Sequence, residues 1–354
     1  MSFTLASSSL LAPLVGDAEI AALFDAPADH AAMLAFEREL AAAQAALGLM
    51  PADAARAMVH ALADLDAVDD LPGLAAAAVD FVRDGLAVPA WVAAIRERLA
   101  PALRAHFHVG VTSQDLVDSS LMLRAKQAFE LLAARLTLLQ ERLARLSARH
   151  GERRLDARTR LQRARPIRVA DRLAVWEQGL AGAAGRVAAL DFPVQLGGPV
   201  GTLDGFGPHG DALRAVLAQR LGLSNPGLCW HASREPVVRL AETASVLTGA
   251  LGKLGLDAGL MAQNGIDELT LADGGRSSSM AHKRNPVRAE ILVAVARHNA
   301  GLLGSVHQAL LHEQERSGAA WTLEWLTLPP MIVGAGAATG HAALLLDAID
   351  RMGR

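Results

Sequence analysis

Apolar residues recur every three or four positions along much of the chain, a period that predicts α-helices. The longest such run begins near Ser113 and ends at about His150, where Gly151 follows. Its apolar stripe consists of Leu121, Ala125, Ala128, Leu132, Leu136, Leu139, Leu143 and Leu146. At about 1.5 Å per residue this helix is roughly 55 Å long, and helices of that length pack side by side in bundles.

Shorter helices are predicted ahead of the long one. Residues 16–47 predict a helix that Gly48 ends, and three prolines divide residues 52–105 into several shorter helices. These segments indicate a small helical region before the bundle.

Three further helices are predicted after the long one. They are expected at residues 166–190, from Ser233 past Met261, and from Asn285 to about Glu315. The second contains four glycines spaced by three or four residues: Gly249, Gly252, Gly255 and Gly259. Because each glycine costs about 1 kcal/mol in a helix, their spacing predicts close approach to neighbouring helices.

The predicted fold class is all-α, because no stretch shows the alternation typical of a strand. We expect an N-terminal helical domain over residues 1–110 and a long-helix bundle over residues 111–345. Residues 346–354 are expected to form a short tail.

Composition and charge exclude several classes of protein. The formal net charge of -3 gives no strong field that would attract nucleic acid or an anionic membrane. Residues 240–263 are the most apolar long stretch, but three charged residues interrupt it, which favours a buried helix over a membrane span. The single cysteine, Cys229, has no partner for an internal disulfide, which favours a cytoplasmic location.

Residues 274–286 combine glycines, serines and cations immediately before a predicted helix. Such a loop brings hydroxyl groups and Lys283 to a helix N-terminus, where backbone N–H groups and the helix dipole favour a bound anion. A solvated loop between helices remains the alternative interpretation of this composition.

Two other segments carry candidate chemistry. Residues 108–115 place Thr112 and Ser113 at the start of the long helix, as caps or as contacts to an anion. Residues 158–166 lie in an arginine-rich run that a solvated face or a nucleic-acid patch would also produce.

Three sequence patterns match part of a cofactor-binding or metal-binding motif, but each lacks the neighbouring strand or the further ligands that such a site requires. Residues 205–210 spell G-x-G-x-x-G, but no strand precedes them. Residues 312–316 begin as H-E-x-x-H and end in arginine, and His106 and His108 lack further ligands at metal-binding spacing. The sequence therefore predicts neither a metal nor a cofactor.

The three polar segments resemble the motifs of the fumarase/aspartase superfamily. Residues 276–286 are similar to its Gly-Ser-Ser-x-Met-Pro-x-Lys-x-Asn-Pro loop, with Arg276 in place of the glycine and Ala281 in place of the first proline. Residues 108–115 resemble its His-x-Gly-x-Thr-Ser-x-Asp motif, and residues 158–166 resemble its Thr-His-x-Gln-x-Ala-x-Pro motif.

The resemblance implies the roles of particular residues. Ser277 would be the catalytic base, and Lys283 and Asn285 would contact a substrate carboxylate. The substrate-binding residues that it implies are His108, Thr112, Ser113, Arg158, Arg160, Gln162, Arg234, Ser278, Met280 and His282. It also implies a homotetramer with a central helical core, active sites built by three subunits, and a further small C-terminal helical domain that these 354 residues do not include.

Arg160 stands where lyases of this superfamily carry a histidine that serves as general acid or orients it. Arginine stays charged, so it cannot protonate an amine or hydroxide leaving group. A carboxylate, with a pKa of about 4, leaves without a proton. The replacement favours the superfamily's cycloisomerases, which interconvert 3-carboxy-cis,cis-muconate, a small tricarboxylate, and 4-carboxymuconolactone.

Two other functions remain open from the sequence. An adenylosuccinate-type lyase would share the base and the loop but expel an amine, which needs a titrating acid. A non-catalytic structural protein of the crystallin type would keep the fold, and the changes at Arg276 and Ala281 suit it. The retention of Ser277, Lys283 and Asn285 together favours an enzyme.

Overall fold

The computed structural model describes residues 10–66, 79, 81–280 and 283–354. Its helices are α1 (Ala12–Val15), α2 (Ala18–Ala22), α3 (Ala26–Ala46), α4 (Ala52–Asp66), α5 (Val88–Arg98), α6 (Pro101–Arg104), α7 (Ser113–His150), α8 (Val169–Ala188), α9 (Gly210–Leu221), α10 (Glu235–Met261), α11 (Val287–Gln308) and α12 (Gly318–Asp347), with a short 3-10 helix at Asp204–His209. Its strands are β1 (Arg154–Thr159), β2 (Gln162–Arg168), β3 (Leu269–Leu271), β4 (Gly275–Arg276), β5 (Arg284–Asn285) and β6 (Ile349–Met352).

The long helix α7 has the bounds that the sequence predicts. Thr112 is its N-cap, and the backbone N–H of Thr112 donates to Oδ2 of Asp115 at 3.0 Å. All eight residues of the predicted stripe are buried. Since burying one leucine side chain contributes about 2 kcal/mol, this stripe provides much of the energy that holds α7 in the bundle.

Five long helices, α7, α8, α10, α11 and α12, form the bundle. Arg234, just before α10, and Trp321, near the start of α12, both donate to Asp118 near the start of α7. At the opposite end, Trp176 near the start of α8 donates to Asp257 near the end of α10 at 2.9 Å. Helices α7, α10 and α12 are therefore parallel to one another, and α8 is antiparallel to them. Helix α11 is antiparallel to α10.

The contact between α10 and α11 is the most extensive in the bundle. A Cβ atom on Gly252 would lie 2.5 Å from the Cβ of Ala296, and one on Gly255 would lie 2.7 Å from the carbonyl oxygen of Ala289. These two glycines therefore permit the close approach that their spacing predicts. Gly249 has open space in this chain.

Two helices differ in detail from the sequence prediction. Residues 16–47 hold two helices rather than one, because Asp25 caps α3 separately. Helix α11 begins at Val287, two residues later than predicted, because Asn285 belongs to β5, and it ends at Gln308 rather than about Glu315.

The expectation of no strands was wrong at residues 154–168, where β1 and β2 form an antiparallel hairpin. Arg160 and Leu161 form its two-residue turn, with φ values of 50° and 66°. The hairpin was missed because most of its residues are arginines or other polar residues, on a partly buried β1 and an exposed β2, so no alternation of apolar residues marks it.

The last residues of the chain are held against this hairpin. Strand β6 pairs with β3, and Arg354 and Arg154 exchange backbone hydrogen bonds. The division into domains at residues 110 and 345 stays a prediction.

Helix α12 is long and apolar enough to cross a membrane by length and composition alone. Most of it is buried against α7, α10 and α11, as expected of a core helix.

Candidate active site

We call the end of the bundle where α7, α10 and α12 begin the Thr112 end, and the opposite end the hairpin end. A buried carboxylate, that of Asp115, organises the Thr112 end. Its Oδ1 accepts hydrogen bonds from the Gly197 N–H at 2.7 Å and from His231 Nε2 at 2.8 Å. Its Oδ2 accepts from the N–H groups of Gly198 at 2.9 Å and Thr112 at 3.0 Å. Because a carboxylate has about four acceptor positions, Asp115 is saturated and fixes the 197–198 loop to the start of α7.

The second member of this network, His231, is almost fully buried. Burial acts to lower the pKa of His231, but the hydrogen bond and charge of Asp115, together with Cys229, outweigh burial and raise the pKa to about 9. At neutral pH His231 and Asp115 therefore form an ion pair.

Arg316 reaches the same loop from the segment before α12. Its Nε donates to Oε1 of Gln114 at 2.8 Å, and its Nη2 donates to the carbonyl oxygen of Pro199 at 3.1 Å. Gln114 in turn donates from Nε2 to the carbonyl oxygen of His231 at 2.8 Å. None of these residues was predicted from the sequence to belong to the site. The one signal was that Arg316 ends the incomplete H-E-x-x-H pattern.

The predicted residues His108, Thr112 and Ser113 lie together at the Thr112 end. His108 has a φ of 58°, and its Nδ1 lies 2.5 Å from Oε1 of Glu37 on α3. Thr112 and Ser113 are half-buried at the first turn of α7.

The expectation that Arg234 binds substrate is corrected by the structure. Its side chain is fully buried between Asp118 and Glu324. Nη1 and Nη2 donate to the two oxygens of Asp118 at 2.6 and 2.9 Å, and Nε and Nη2 donate to those of Glu324 at 2.9 and 2.7 Å. Arg234 therefore ties α7, α10 and α12 together and leaves no edge for a ligand.

A cavity of about 510 Å³ opens at the hairpin end. Its charged lining residues are Arg158, Arg160, Arg172, Lys253 and Asp257. Arg158 pairs with Glu268 at 2.6 Å, and Lys253 pairs with Asp257 at 2.5 Å. In the part of the chain that the structure describes, no hydrogen bond or ion pair occupies the side chains of Arg160 and Arg172. The cavity therefore offers two unpaired guanidinium groups; Gln162, at the start of β2, is exposed nearby on the same hairpin.

The loop that carries Ser277 is closed at its base by β4 and β5. Gly275 pairs with Asn285, and Arg276 pairs with Arg284, so Ser277 and Lys283 each adjoin the last pair of this ladder. The Oγ of Ser277 accepts hydrogen bonds from the N–H groups of Ser279 at 3.4 Å and Met280 at 3.2 Å. Ser277 is half-buried, whereas Ser278, Met280 and Lys283 are exposed. The predicted contact His282 lies outside the described residues.

A family model described as a lyase matches residues 21–301. The chain belongs to this lyase family, the fumarase/aspartase superfamily.

Two curated relatives and one solved structure show where the chain lies within the superfamily. The 3-carboxy-cis,cis-muconate cycloisomerase of Pseudomonas aeruginosa is 36% identical over 330 residues, which are 90% of this chain and 70% of that protein. A nitrosuccinate lyase of Streptomyces davaonensis is 34% identical over an alignment that covers 98% of this chain and 76% of that protein. The crystal structure of 3-carboxy-cis,cis-muconate lactonizing enzyme from Pseudomonas putida matches with a TM-score of 0.89 and 29% identity, over 97% of this chain and 77% of that one. The predicted all-α, fumarase/aspartase-like bundle is confirmed.

In this member of the superfamily, α7 separates the predicted site residues into two groups. The first group, at the Thr112 end, contains His108, Thr112, Ser113 and the structural Arg234. The second, at the hairpin end, contains Arg158, Arg160, Gln162, Ser277, Ser278, Met280, Lys283 and Asn285. With 38 residues α7 spans about 57 Å, so one copy of the chain does not bring Thr112 and Arg160 together.

Proposed function

We propose that the chain is a cycloisomerase, an intramolecular lyase, that interconverts 3-carboxy-cis,cis-muconate and 4-carboxymuconolactone in the β-ketoadipate pathway of protocatechuate catabolism. The relatives support this function. The observation that carries it is Arg160, which has no pairing partner among the described residues and lines a cation-rich cavity, at the position where amine-releasing lyases of the superfamily need a titrating acid.

The charge of the cavity fits a tricarboxylate. Guanidinium groups bind carboxylates through two parallel hydrogen bonds, and Arg160 and Arg172 have both edges free for such contacts within the described residues. Arg158 and Lys253 add charge that their acidic partners partly neutralise. The cavity therefore favours a ligand with several carboxylates over a neutral one.

In the forward reaction one substrate carboxylate attacks the conjugated diene and closes a five-membered lactone, while a proton is delivered to the adjacent carbon. In the reverse direction Ser277 removes that proton, and negative charge develops on the neighbouring carboxylate as an enolate. Lys283 and Asn285, with Thr112 and Ser113 of another copy, stabilise this charge. The lactone oxygen leaves as a carboxylate without a proton.

The surroundings of Ser277 support its role as the base. A serine hydroxyl is a weak base unless its anionic form is stabilised. Two backbone N–H groups already donate to its Oγ, and Lys283 brings an ammonium group to the same short loop. Both features favour an alkoxide at Ser277.

We also propose that the active enzyme is a homotetramer, with the long helices as its core. The length of α7 supports this, because a site that contains both Thr112 and Arg160 needs different copies of the chain. We propose a cytoplasmic location, which the single cysteine supports.

A nitrosuccinate-type lyase is the second candidate, because one relative carries that name at 34% identity. Nitrite, like a carboxylate, is a stable anion that leaves without a proton, so Arg160 suits this reaction as well. An adenylosuccinate-type lyase is disfavoured, because its amine leaving group needs the acid that Arg160 cannot supply.

The deciding experiment mixes the purified chain with 3-carboxy-cis,cis-muconate and follows the loss of the diene's ultraviolet absorbance. Nitrosuccinate, with nitrite as the readout, and adenylosuccinate are run in parallel. We expect loss of the diene only. Nitrite release without consumption of the diene would replace the proposed function by the second candidate.

A further inference from the structure

The single cysteine of the chain lies beside the network that Asp115 organises. Cys229 is partly exposed, and its thiol donates to Oε1 of Gln195, with 3.6 Å between Sγ and Oε1. A Cβ atom built on Gly197 would collide with this sulfur and would lie 2.8 Å from Cε1 of His231. The thiol and the imidazole therefore both pack against the loop backbone at Gly197.

The two ring nitrogens of His231 differ in their surroundings. Nε2 is held by Asp115, whereas the buried Nδ1 has no partner among the described residues that meets hydrogen-bond geometry. A Cβ atom on Gly201 would lie 3.4 Å from Sγ of Cys229 and 4.0 Å from Nδ1, so both atoms face the same small space. A protonated imidazole carries N–H at both nitrogens, and the sulfur is the group beside Nδ1 that can accept the second one.

We propose that Cys229, His231 and Asp115 form a reactive-thiol site, in which small soft electrophiles alkylate the sulfur and the adduct disables the Thr112 end. The arrangement has the order of an activated nucleophile: a sulfur, an imidazole beside it, and a buried carboxylate that orients the imidazole. A cation next to a cysteine favours the thiolate, which is the nucleophilic form.

The reaction with iodoacetamide illustrates the step. The thiol gives up its proton to solvent, while the imidazolium of His231 keeps its own, and the sulfur attacks the methylene carbon of the reagent. The S–C bond forms as the C–I bond breaks, and iodide leaves. Neither an oxidant nor a cofactor is required.

Packing around Gly197 couples this step to the candidate active site. Because the sulfur already contacts the Gly197 backbone, an added group at Sγ forces the 197–198 loop to move. The N–H groups of Gly197 and Gly198 then lose their hydrogen bonds to the carboxylate of Asp115, which also accepts a hydrogen bond from the N–H of Thr112. The effect on turnover rests on the proposed function, whereas the labelling of Cys229 does not.

The test treats the intact, assembled protein with iodoacetamide at pH 7 and measures the alkylated fraction by mass spectrometry, which reports on Cys229 alone because the chain has one cysteine. We expect alkylation about tenfold faster than that of N-acetylcysteine, and about tenfold slower in a His231→Gln variant whose thermal unfolding shows that it is folded. Labelling of the wild type no faster than the free thiol, or equal rates in the two proteins, would overturn the reactive site.

A second measurement tests the coupling. Lactonising activity is expected to fall in step with alkylation in the wild type and to resist iodoacetamide in Cys229→Ser. Full activity of the completely alkylated protein would refute the coupling. A wild type that labels rapidly but shows no activity before treatment would refute the proposed function and leave the reactive thiol established.

Discussion

The imidazole of His231 and the carboxylate of Asp115 form a buried ion pair, with 2.8 Å between Nε2 and Oδ1. The pKa of His231 is raised from 6.5 to about 9 in the folded protein. A raised pKa stabilises the fold fully below the unfolded value, and this contribution is lost as pH rises through the folded value. We therefore expect the free energy of unfolding to decrease between pH 6.5 and about 9, by on the order of 3 kcal/mol from this group. Urea unfolding across this range measures the change, and the His231→Gln variant should lack it.

Loss of the cation at Arg160 should weaken catalysis. Arg160→Gln removes a charged hydrogen-bonding group worth about 1.5–3 kcal/mol, so kcat/KM for the lactone or the muconate should fall by roughly 10- to 100-fold. Steady-state kinetics measure this, and Arg165→Gln, on the same hairpin but outside the cavity lining, is the matched control. Equal losses in both variants would contradict a specific role for Arg160.

Removal of the proposed base should reduce turnover far more than binding. Ser277→Ala is expected to lower kcat by about 10²- to 10⁴-fold, the range for general acid–base groups, with little change in KM. The neighbouring Ser279→Ala serves as control, because its side chain has no assigned role. Near-normal kcat in Ser277→Ala would rule out the base assignment.

The charge cluster around Arg234 should matter for stability. Asp118→Asn leaves one acid to pair with a fully buried guanidinium group, and breaking a buried pair costs about 3–5 kcal/mol. Asp347→Asn breaks the exposed pair with Arg142 and should cost under about 1 kcal/mol. Denaturant unfolding of the two variants compares them directly; similar small losses would show that Arg234 is not a structural centre.

Complementation should reveal sites shared between copies of the chain. Arg160→Gln and Thr112→Val each impair a different end of α7. When the two variants are unfolded together and refolded, mixed assemblies contain some sites with neither substitution. We expect these mixtures to be more active than either variant refolded alone. An unchanged activity would mean that one copy supplies both groups.

The features that the sequence predicted are those set by local pattern. The apolar stripe from Leu121 to Leu146 and the glycine after His150 define α7, because burial of one helix face needs only that spacing. The hairpin at residues 154–168 was missed, because its arginine-rich strands bury little apolar surface and so leave no period to detect.

The network around Asp115 was also beyond prediction from the sequence. Its partners Gly197 and His231 are 82 and 116 residues away along the chain, so only the folded bundle brings them together. The correction at Arg234 has the same origin: an arginine next to a motif suggests a ligand contact, but Glu324 from a distant helix occupies it.

Because α7 holds the two groups of predicted site residues far apart, we expect catalytic activity to depend on protein concentration. Under the proposed function, a monomer that carries Ser277 and Thr112 at opposite ends of α7 lacks a complete site and should be inactive at any substrate concentration. Specific activity should therefore decline when the protein is diluted below the dissociation constant of the assembly. In that range the total reaction rate should fall more steeply than in proportion to the protein concentration.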